Sequence, residues 1–412
     1  MRKITLYISI ICFIGLSSCT SYTTDKEIRT SIEKDVSYLA DDQLEGRAIG
    51  TEGEQLAAQY IAAAFKKYGL VPKGTDGFMQ PFNVKKATNP HEEAVIGDAE
   101  GGITGRNVVG YIDNGAENTV VIGAHFDHLG YGEEGSLYRG DKAIHNGADD
   151  NASGTAAMIQ LARILKNKGK GKNYLFLAFS GEENGLWGSN YFSKNSTIDL
   201  TTVDFMINMD MVGRMNEEKT LAINGVGTSP IWMNKIEAAN TDTLKLVTSE
   251  SGIGPSDHTS FYLQDLPVLH FFTGQHEDYH RPSDDSDKIN YHGMVKVVRL
   301  IERLIVSLDQ EEKIAFTKTK DDSADSPRFT VSLGVVPDYL YDGQGMRIDG
   351  VSEDKPAQKA GMQKGDIVMK LGDSTIVDMM SYMRALAAFQ LGDETKVEFK
   401  RGEELKTVDI KF

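Results

Sequence analysis

The chain has 412 residues, of which 44 are lysine or arginine and 60 are aspartate or glutamate, so its formal net charge is −16. This acidic balance, without a long basic stripe, argues against a protein that binds nucleic acid through its phosphates. The composition, 40% hydrophobic and 25% charged, is that of a globular protein, and the length exceeds what one core usually fills. We therefore expect two folded domains.

The first nineteen residues have the layout of an export signal. Arg2 and Lys3 precede an apolar stretch over residues 4–16, and small residues follow it. The end of this segment, LSSC, resembles the bacterial lipobox, in which the cysteine becomes the lipidated first residue of the mature protein. We expect residues 1–19 to be a lipoprotein signal peptide and Cys19 to anchor the protein in a bacterial cell envelope, at the periplasmic face or the cell surface. The alternative is an ordinary signal peptide with a chance cysteine.

Residues 20–315 alternate helical and strand-like patterns. Apolar residues at helical spacing predict helices over residues 31–40, 51–68 and 152–166. Strand-like apolar runs occur at NVVGYI, TVVIGAHF, YLFLAF, DFMINMD and PVLHFF. This alternation predicts an α/β domain with a mostly parallel central sheet flanked by helices. Active sites of such sheets lie where the carboxyl ends of strands meet loops.

The sequence changes character near Thr317. The segment TKTKDDSADSP is polar and charged, and we interpret residues 316–327 as a linker. Short strand-like runs after it predict a small β-rich domain over residues 328–412. The stretches SLGVV and KAGMQKGDIVMKLGD resemble a bacterial-type PDZ domain.

The PDZ resemblance implies a peptide-binding role for the SLGVV loop. Leu333, Gly334 and Val335 would offer backbone N–H groups to the terminus of a peptide, which would bind by adding a strand to the sheet. The alternative is a module that only packs on the first domain.

The strand ends of the first domain carry residue types that bind metals. The candidates are His125 in GAHFDH, Asp149 and Asp150 in NGADDNASG, Glu182 and Glu183 in SGEENG, Asp210 in NMDMVG, and His280 in DYHRPSDD. Both cysteines of the chain lie in residues 1–19, so the set has no thiolate, and mixed carboxylate and imidazole ligands suit zinc. Two histidines with three carboxylates suffice for two ions that share one bridging carboxylate.

These motifs, in this order, resemble those of the co-catalytic di-zinc exopeptidases, which include aminopeptidase Y, plasma glutamate carboxypeptidase and, more distantly, glutaminyl cyclase. The stretch LADDQLEGRAIGTEG also resembles the start of that family, so the resemblance spans roughly residues 30–310. It implies two zinc ions per chain, with Asp149 as the bridging carboxylate. The implied ligands are His125, Asp149, Glu183, Asp210 and His280.

The same resemblance implies roles for three further residues. Glu182 would be the general base that takes a proton from the attacking water and returns it to the leaving amine. Asp127 would accept the other ring N–H of His125 and so fix its tautomer. Tyr279 would stabilise the oxyanion. Four polar residues near the motifs are not expected to bind metal: His128, His145, His258 and Asp150.

An exported zinc aminopeptidase acting on peptide substrates is therefore the leading interpretation. A carboxypeptidase or dipeptidase on the same scaffold is the first alternative. Relatives of glutaminyl cyclase are a third, although they typically use a single zinc. An inactive receptor-like binding protein is disfavoured because all five implied ligand positions and Glu182 are filled.

Overall fold

The computed structural model describes residues 23–85, 94–97, 102–319, 331–338, 340–341, 343–352 and 354–412. The signal-peptide and lipid-anchor predictions, for residues 1–19 and Cys19, lie outside these residues, as does most of the predicted linker. Among the described residues, no helix is both long and apolar enough to cross a membrane.

A ten-stranded sheet forms the centre of the first domain. Its strands are β1 (Val71–Pro72), β2 (Met79–Lys85), β3 (Val95–Gly97), β4 (Ile103–Ile112), β5 (Thr119–His125), β6 (Asn173–Phe179), β7 (Val203–Met209), β8 (Thr220–Asn224), β9 (Lys245–Ser249) and β10 (Val268–Phe272). Their order is β3-β2-β4-β6-β5-β7-β10-β8-β9, and β1 pairs with β4. The central strands β6, β5, β7 and β10 are parallel, whereas β2, β3 and β4 pair antiparallel.

The central strands are buried on both faces, which explains their continuous apolar sequences. Every residue of β5, β6 and β7 is buried, as expected for parallel strands covered by helices on each side. In the register of β5 and β6, His125 lies opposite Phe179, so both strands end at the same edge. The predicted α/β fold with a mostly parallel central sheet is confirmed.

Helices cover both faces of this sheet. They are α1 (Asp25–Leu39), α2 (Glu52–Lys67), α3 (Gly154–Lys168), α4 (Trp187–Lys194), α5 (Trp232–Ala239), α6 (His258–Tyr262) and α7 (Tyr291–Ser307). Helix α1 starts earlier than predicted because Thr24 and Glu27 form a capping box. Thr51 caps α2 by accepting a hydrogen bond from the Glu54 N–H. A large apolar cluster involving α1, α2, α3, α5 and α7 lies on one face, and a smaller one with α4 and α6 lies on the other.

The second domain is a small β-rich unit with its own apolar core. Its elements are β11 (Val335–Pro337), β12 (Met346–Val351), α8 (Pro356–Lys359), β13 (Ile367–Leu371), β14 (Ser374–Thr375), α9 (Met379–Leu386), β15 (Glu394–Arg401) and β16 (Glu404–Lys411). Its strand order is β11-β12-β13-β15-β16, with β14 beside β13. In the predicted peptide-binding loop, the Gly334 N–H already donates to the Ser332 hydroxyl at 3.0 Å. This N–H is therefore engaged within the loop.

The segment before the second domain is bound to the first. The Ile314 N–H donates to the Asp204 carboxylate at 2.7 Å, and the Thr317 N–H donates to the Thr228 carbonyl at 2.8 Å. The Thr319 N–H donates to the Tyr262 hydroxyl at 3.0 Å. Residues 316–319, the start of the predicted linker, thus lie on the surface of the first domain.

Candidate metal centre

The loops at the carboxyl edge of the sheet bring the predicted metal-binding motifs together. His125 is the last residue of β5, Glu182 and Glu183 follow β6, and Asp210 follows β7. His280 comes from the loop after β10. The fifth motif forms the turn Ala148–Ser153, which leads into α3.

One half of the site is built around His125. Its Nε2 atom lies 3.2 Å from Asp210 Oδ1, 3.4 Å from Asp150 Oδ1 and 3.9 Å from Glu182 Oε2. Its Nδ1 atom faces Asp127, at 3.3 Å from the backbone carbonyl and 3.7 Å from carboxylate Oδ1. The residue predicted to orient His125 is therefore behind it, but its backbone oxygen is the nearer acceptor.

The other half of the site is built around Glu183. The Nε2 atom of His280 lies 3.1 Å from Glu183 Oε2 and 3.2 Å from Asp150 Oδ2. The Nδ1 atom of His128 lies 2.7 Å from Glu183 Oε1. His128, which was not expected to bind metal, is thus a member of a second group of ligand-type atoms with Asp150 and Glu183.

The structure corrects the predicted bridging residue. Asp150 has one carboxylate oxygen toward His125 and the other toward His280, so it lies between the two halves. Asp149 is turned away: its Oδ1 accepts a hydrogen bond from the Gly213 N–H at 2.6 Å, and its Oδ2 lies 3.1 Å from His276 Nε2. Both oxygens of Asp149 are engaged in holding the surrounding loops, and Asp150 is the carboxylate available to both halves.

Asp284, from the same loop as His280, supports this turn. Its carboxylate accepts the backbone N–H groups of Asp149 at 3.0 Å and Asp150 at 3.1 Å. Burial, together with the charge of Asp149, raises the pKa of Asp284 to about 6. No role was predicted for Asp284, although it lies in the motif YHRPSDD.

The two adjacent glutamates differ in their electrostatics. Burial raises the pKa of Glu182 well above its usual range, and the negative charges of Asp210 and Asp257 add to the effect. Burial and Asp150 would also raise the pKa of Glu183, but the imidazoles of His280 and His128 outweigh them and lower it to about 2. Glu183 is therefore held as an anion, whereas the Glu182 carboxylate binds a proton more readily than an ordinary glutamate.

The donor set fits a pair of divalent cations. Buried and half-buried carboxylates and imidazoles from five loops lie within a few ångströms of one another, and holding so much negative charge together away from water is costly without cations. The pKa values of His125 and His280 are raised well above the usual value by the carboxylates around them, against the effect of burial. A metal binding here would take the place of the protons that these carboxylates favour on the two imidazoles.

Arg47 joins two of the loops that carry the ligands. This side chain is completely buried. It donates to the carbonyls of Phe126 at 2.7 Å, Asn146 at 2.6 Å and Gly147 at 3.0 Å, and also to that of Leu39. Burial lowers the pKa of Arg47 to about 10, and nearby carboxylates oppose the shift. Arg47 therefore fixes the loop after β5 against the turn before α3, a role that the motif LEGRAIG did not reveal.

Polar side chains of α2 and β4 hold the turn that carries Glu182. Glu54 of α2 accepts a hydrogen bond from the Ser180 hydroxyl at 2.9 Å and pairs with Arg106 at 2.7 Å. Asn107 accepts the Ser180 N–H at 3.2 Å. The position of Glu182 is therefore set by side chains from two elements distant in sequence.

Several other predicted residues lie around the centre. The ring of Tyr279 stacks on that of His280, with 3.8 Å between centroids. His145 contacts Ser136 Oγ at 2.7 Å and the Ala143 carbonyl at 3.0 Å, in keeping with a structural role. His258 is buried and stacks on His270. Next to it, Asp257 is buried and its pKa is raised, mainly by burial, to about 7.

Comparison with known proteins identifies both parts of the chain. Residues 107–305 match the model of peptidase family M28, and residues 314–412 match that of the PDZ domain. Residues 107–305, just under half of the chain, are therefore similar to peptidase family M28. The resemblance expected from the motifs is thereby confirmed, and so is the resemblance of the following residues to a PDZ domain.

Relatives of this chain include aminopeptidase YwaD of Bacillus subtilis (strain 168), which is 29% identical over 177 residues. The match covers 40% of this chain and 39% of that protein, well under two thirds of its length. The structure of BSAP, a zinc aminopeptidase from Bacillus subtilis, has a TM-score of 0.53 at 18% identity, covering 70% of this chain and 98% of the other. Porphyromonas gingivalis glutaminyl cyclase has a TM-score of 0.54 at 16% identity, covering 69% and 98%. These two likenesses establish a shared fold.

Proposed function

We propose that this protein is an exported aminopeptidase of the M28 type that works with two zinc ions. The observation that carries the proposal is the position of Asp150, whose Oδ1 faces His125 in one half of the site and whose Oδ2 faces His280 in the other. One ion would be held by His125, Asp210 and Asp150, and the other by Glu183, His280 and Asp150. Bound zinc would polarise the scissile carbonyl and increase the acidity of the attacking water.

Glu182 is suited to move the proton. It is farther from His125 Nε2 than Asp210 and Asp150 are, so it need not serve as a ligand. The backbone N–H of Glu182 donates to Asp127 Oδ1 at 3.1 Å, which holds the backbone of Glu182 beside the site. A carboxylate with a raised pKa accepts a proton readily and returns it to the leaving amine. Tyr279, whose ring stacks on that of His280, would stabilise the oxyanion.

The relatives that match the first domain favour aminopeptidase over carboxypeptidase activity. Aminopeptidase YwaD and several probable leucine aminopeptidases match the first domain. Glutaminyl cyclase activity is the second candidate, since a structure with that activity shares the fold. The two are separated by whether a peptide with N-terminal glutamine is shortened or cyclised.

The test is cleavage of peptides with free and with acetylated N-termini, alongside a metal count. We expect about two zinc per chain, hydrolysis of the free-amine peptides only, loss of activity with chelator, and recovery with zinc or cobalt. Glu182→Gln should keep its metal but turn over roughly 10²–10⁴-fold more slowly, since an amide cannot accept the proton. Cleavage that requires a free carboxyl terminus but no free amine would instead support a carboxypeptidase.

Export and lipid anchoring form the second part of the proposal. Its support is the sequence alone: an apolar segment after Arg2 and Lys3, followed by LSSC. Cys19→Ala should move the protein from the membrane fraction to the soluble fraction without loss of peptidase activity. If the variant stays in the membrane fraction, another tether holds the protein.

The PDZ domain is proposed to bind a peptide terminus at the loop with Leu333, Gly334 and Val335. Support comes from the match to the PDZ family and from the positive φ of Gly334, +75°, which shapes the loop before β11. Because the Gly334 N–H donates to Ser332, a peptide carboxylate would have to displace that hydroxyl. Titration with peptides that have free or amidated C-termini tests this role.

A further inference from the structure

A cavity of about 220 Å³ lies between the two domains, beside the metal centre. The first domain contributes Leu137, Tyr279 and Arg281 to its lining, and the PDZ domain contributes Val336, Val351 and Lys364. It is smaller than the ~300–1,000 Å³ typical of sites for drug-sized ligands. Only a short segment of an extended chain fits in it.

The cavity adjoins the metal centre through two of its lining residues, which contact His280. Tyr279 stacks on His280 with 3.8 Å between ring centroids. The Leu137 N–H donates to the His280 carbonyl at 3.0 Å. A peptide whose first residue lies at the metals would extend its remaining residues toward this space.

Arg281 gives the cavity a cation without a carboxylate partner. Lys364 pairs with Asp349 at 3.0 Å and Arg214, nearby, with Asp278 at 3.1 Å. Within the described part of the chain, the half-buried Arg281 guanidinium has neither an ion pair nor a hydrogen bond. The one carboxylate of the wall outside these pairs, Glu277, is exposed. Arginine binds carboxylates through two parallel hydrogen bonds, and an unpaired one in a partly enclosed cavity favours such a ligand.

We propose that Arg281 binds the free C-terminal carboxylate of short peptide substrates, and that β11 and β12 of the PDZ domain wall the space that their last residues occupy. This inference rests on the proposed aminopeptidase function and specifies its substrate class. The enzyme would be selective for peptides of two or three residues, because a longer chain would place its carboxylate beyond Arg281 and collide with the PDZ wall.

The first experiment compares a tripeptide bearing a free C-terminal carboxylate with the same tripeptide as its C-terminal amide, and with an aminoacyl anilide. The wild type should cleave the carboxylate form with a kcat/KM at least about 10-fold higher, mainly through KM, as expected for a charged hydrogen-bonded pair. Arg281→Gln should bring this ratio close to one, whereas Arg139→Gln, which removes an exposed arginine, should leave the ratio unchanged.

Equal cleavage of the two tripeptides by the wild type, or a ratio that survives in Arg281→Gln, overturns the proposal. A wild type that cleaves neither tripeptide nor the anilide overturns the aminopeptidase function itself, so the two failures are distinguishable.

The second experiment tests the PDZ wall in the full chain. Val351→Trp adds bulk inside the cavity, and the matched control Leu405→Trp adds it at a side chain that is 54% exposed on β16. Val351→Trp should lower kcat/KM for the tripeptide more than about 10-fold relative to the anilide, whereas Leu405→Trp should not change that ratio. Identical ratios in both variants show that the PDZ domain does not form the wall.

Discussion

Asp149 and Asp150 have identical side chains and adjacent positions, yet the fold gives them different partners. The turn before α3 directs Asp150 between His125 and His280 and sends Asp149 to the Gly213 N–H. Sequence could place both at the right strand edge, because buried apolar runs locate the strand ends. Which of two neighbours faces the cleft depends on the backbone dihedrals of the turn, and these depend on Asp284 from a distant loop.

A pair of matched substitutions tests this assignment. Asp150→Asn should remove most of the bound zinc and lower activity at least about 100-fold, because an amide is a far weaker ligand than a carboxylate. Asp149→Asn should retain zinc but lower the free energy of unfolding by about 1–3 kcal/mol, since it weakens buried hydrogen bonds. Metal analysis and thermal unfolding distinguish the variants. Metal loss confined to Asp149→Asn would restore the original assignment.

At the scale of elements, the central strands were predictable and the supports of the site were not. Strands buried on both faces read as apolar runs, so β4, β5, β6, β7 and β10 could be found from sequence. The strands at the two sides of the sheet, such as β9, are partly exposed and carry no such run. The packing of Glu54 beneath the turn with Glu182 depends on α2 and β4 meeting in space, which no local pattern records.

Glu54 should make stability depend on pH. Burial raises its pKa to about 7, although Arg106 opposes the shift. A carboxyl whose pKa is raised in the folded state stabilises the protein below the unfolded value of 4.5, and this contribution is lost as pH rises toward 7.

Between pH 5 and 8, the wild type should therefore lose stability relative to Glu54→Gln, by on the order of 3 kcal/mol in total. Thermal unfolding of both proteins at a series of pH values, with metal content held equal, measures this difference. Parallel curves would mean that Arg106 keeps Glu54 ionised throughout.

At the scale of the whole molecule, the two domains and the families that they resemble were evident from sequence, but the packing of the segment between them was not. The segment TKTK is polar, which is typical of a linker, yet the backbone N–H groups of Thr317 and Thr319 bond to the first domain. Phe316 packs against Tyr262, with 5.6 Å between ring centroids. Backbone hydrogen bonds do not depend on side-chain polarity, so composition alone did not reveal that residues 316–319 pack on the first domain.

Truncation at two positions tests where the first domain ends. A chain of residues 23–319 keeps the buried Ile314 side chain, the contact of Phe316 with Tyr262 and the hydrogen bonds of Thr317 and Thr319. A chain of residues 23–313 loses all of them and exposes the apolar surface that they cover. Losing a buried isoleucine alone costs about 2–5 kcal/mol, so the shorter chain should melt roughly 5–10 °C lower.

The longer chain should melt at the temperature of the first domain in the intact protein. If the two chains melt together, the segment contributes nothing to the first domain and the boundary lies before Ile314.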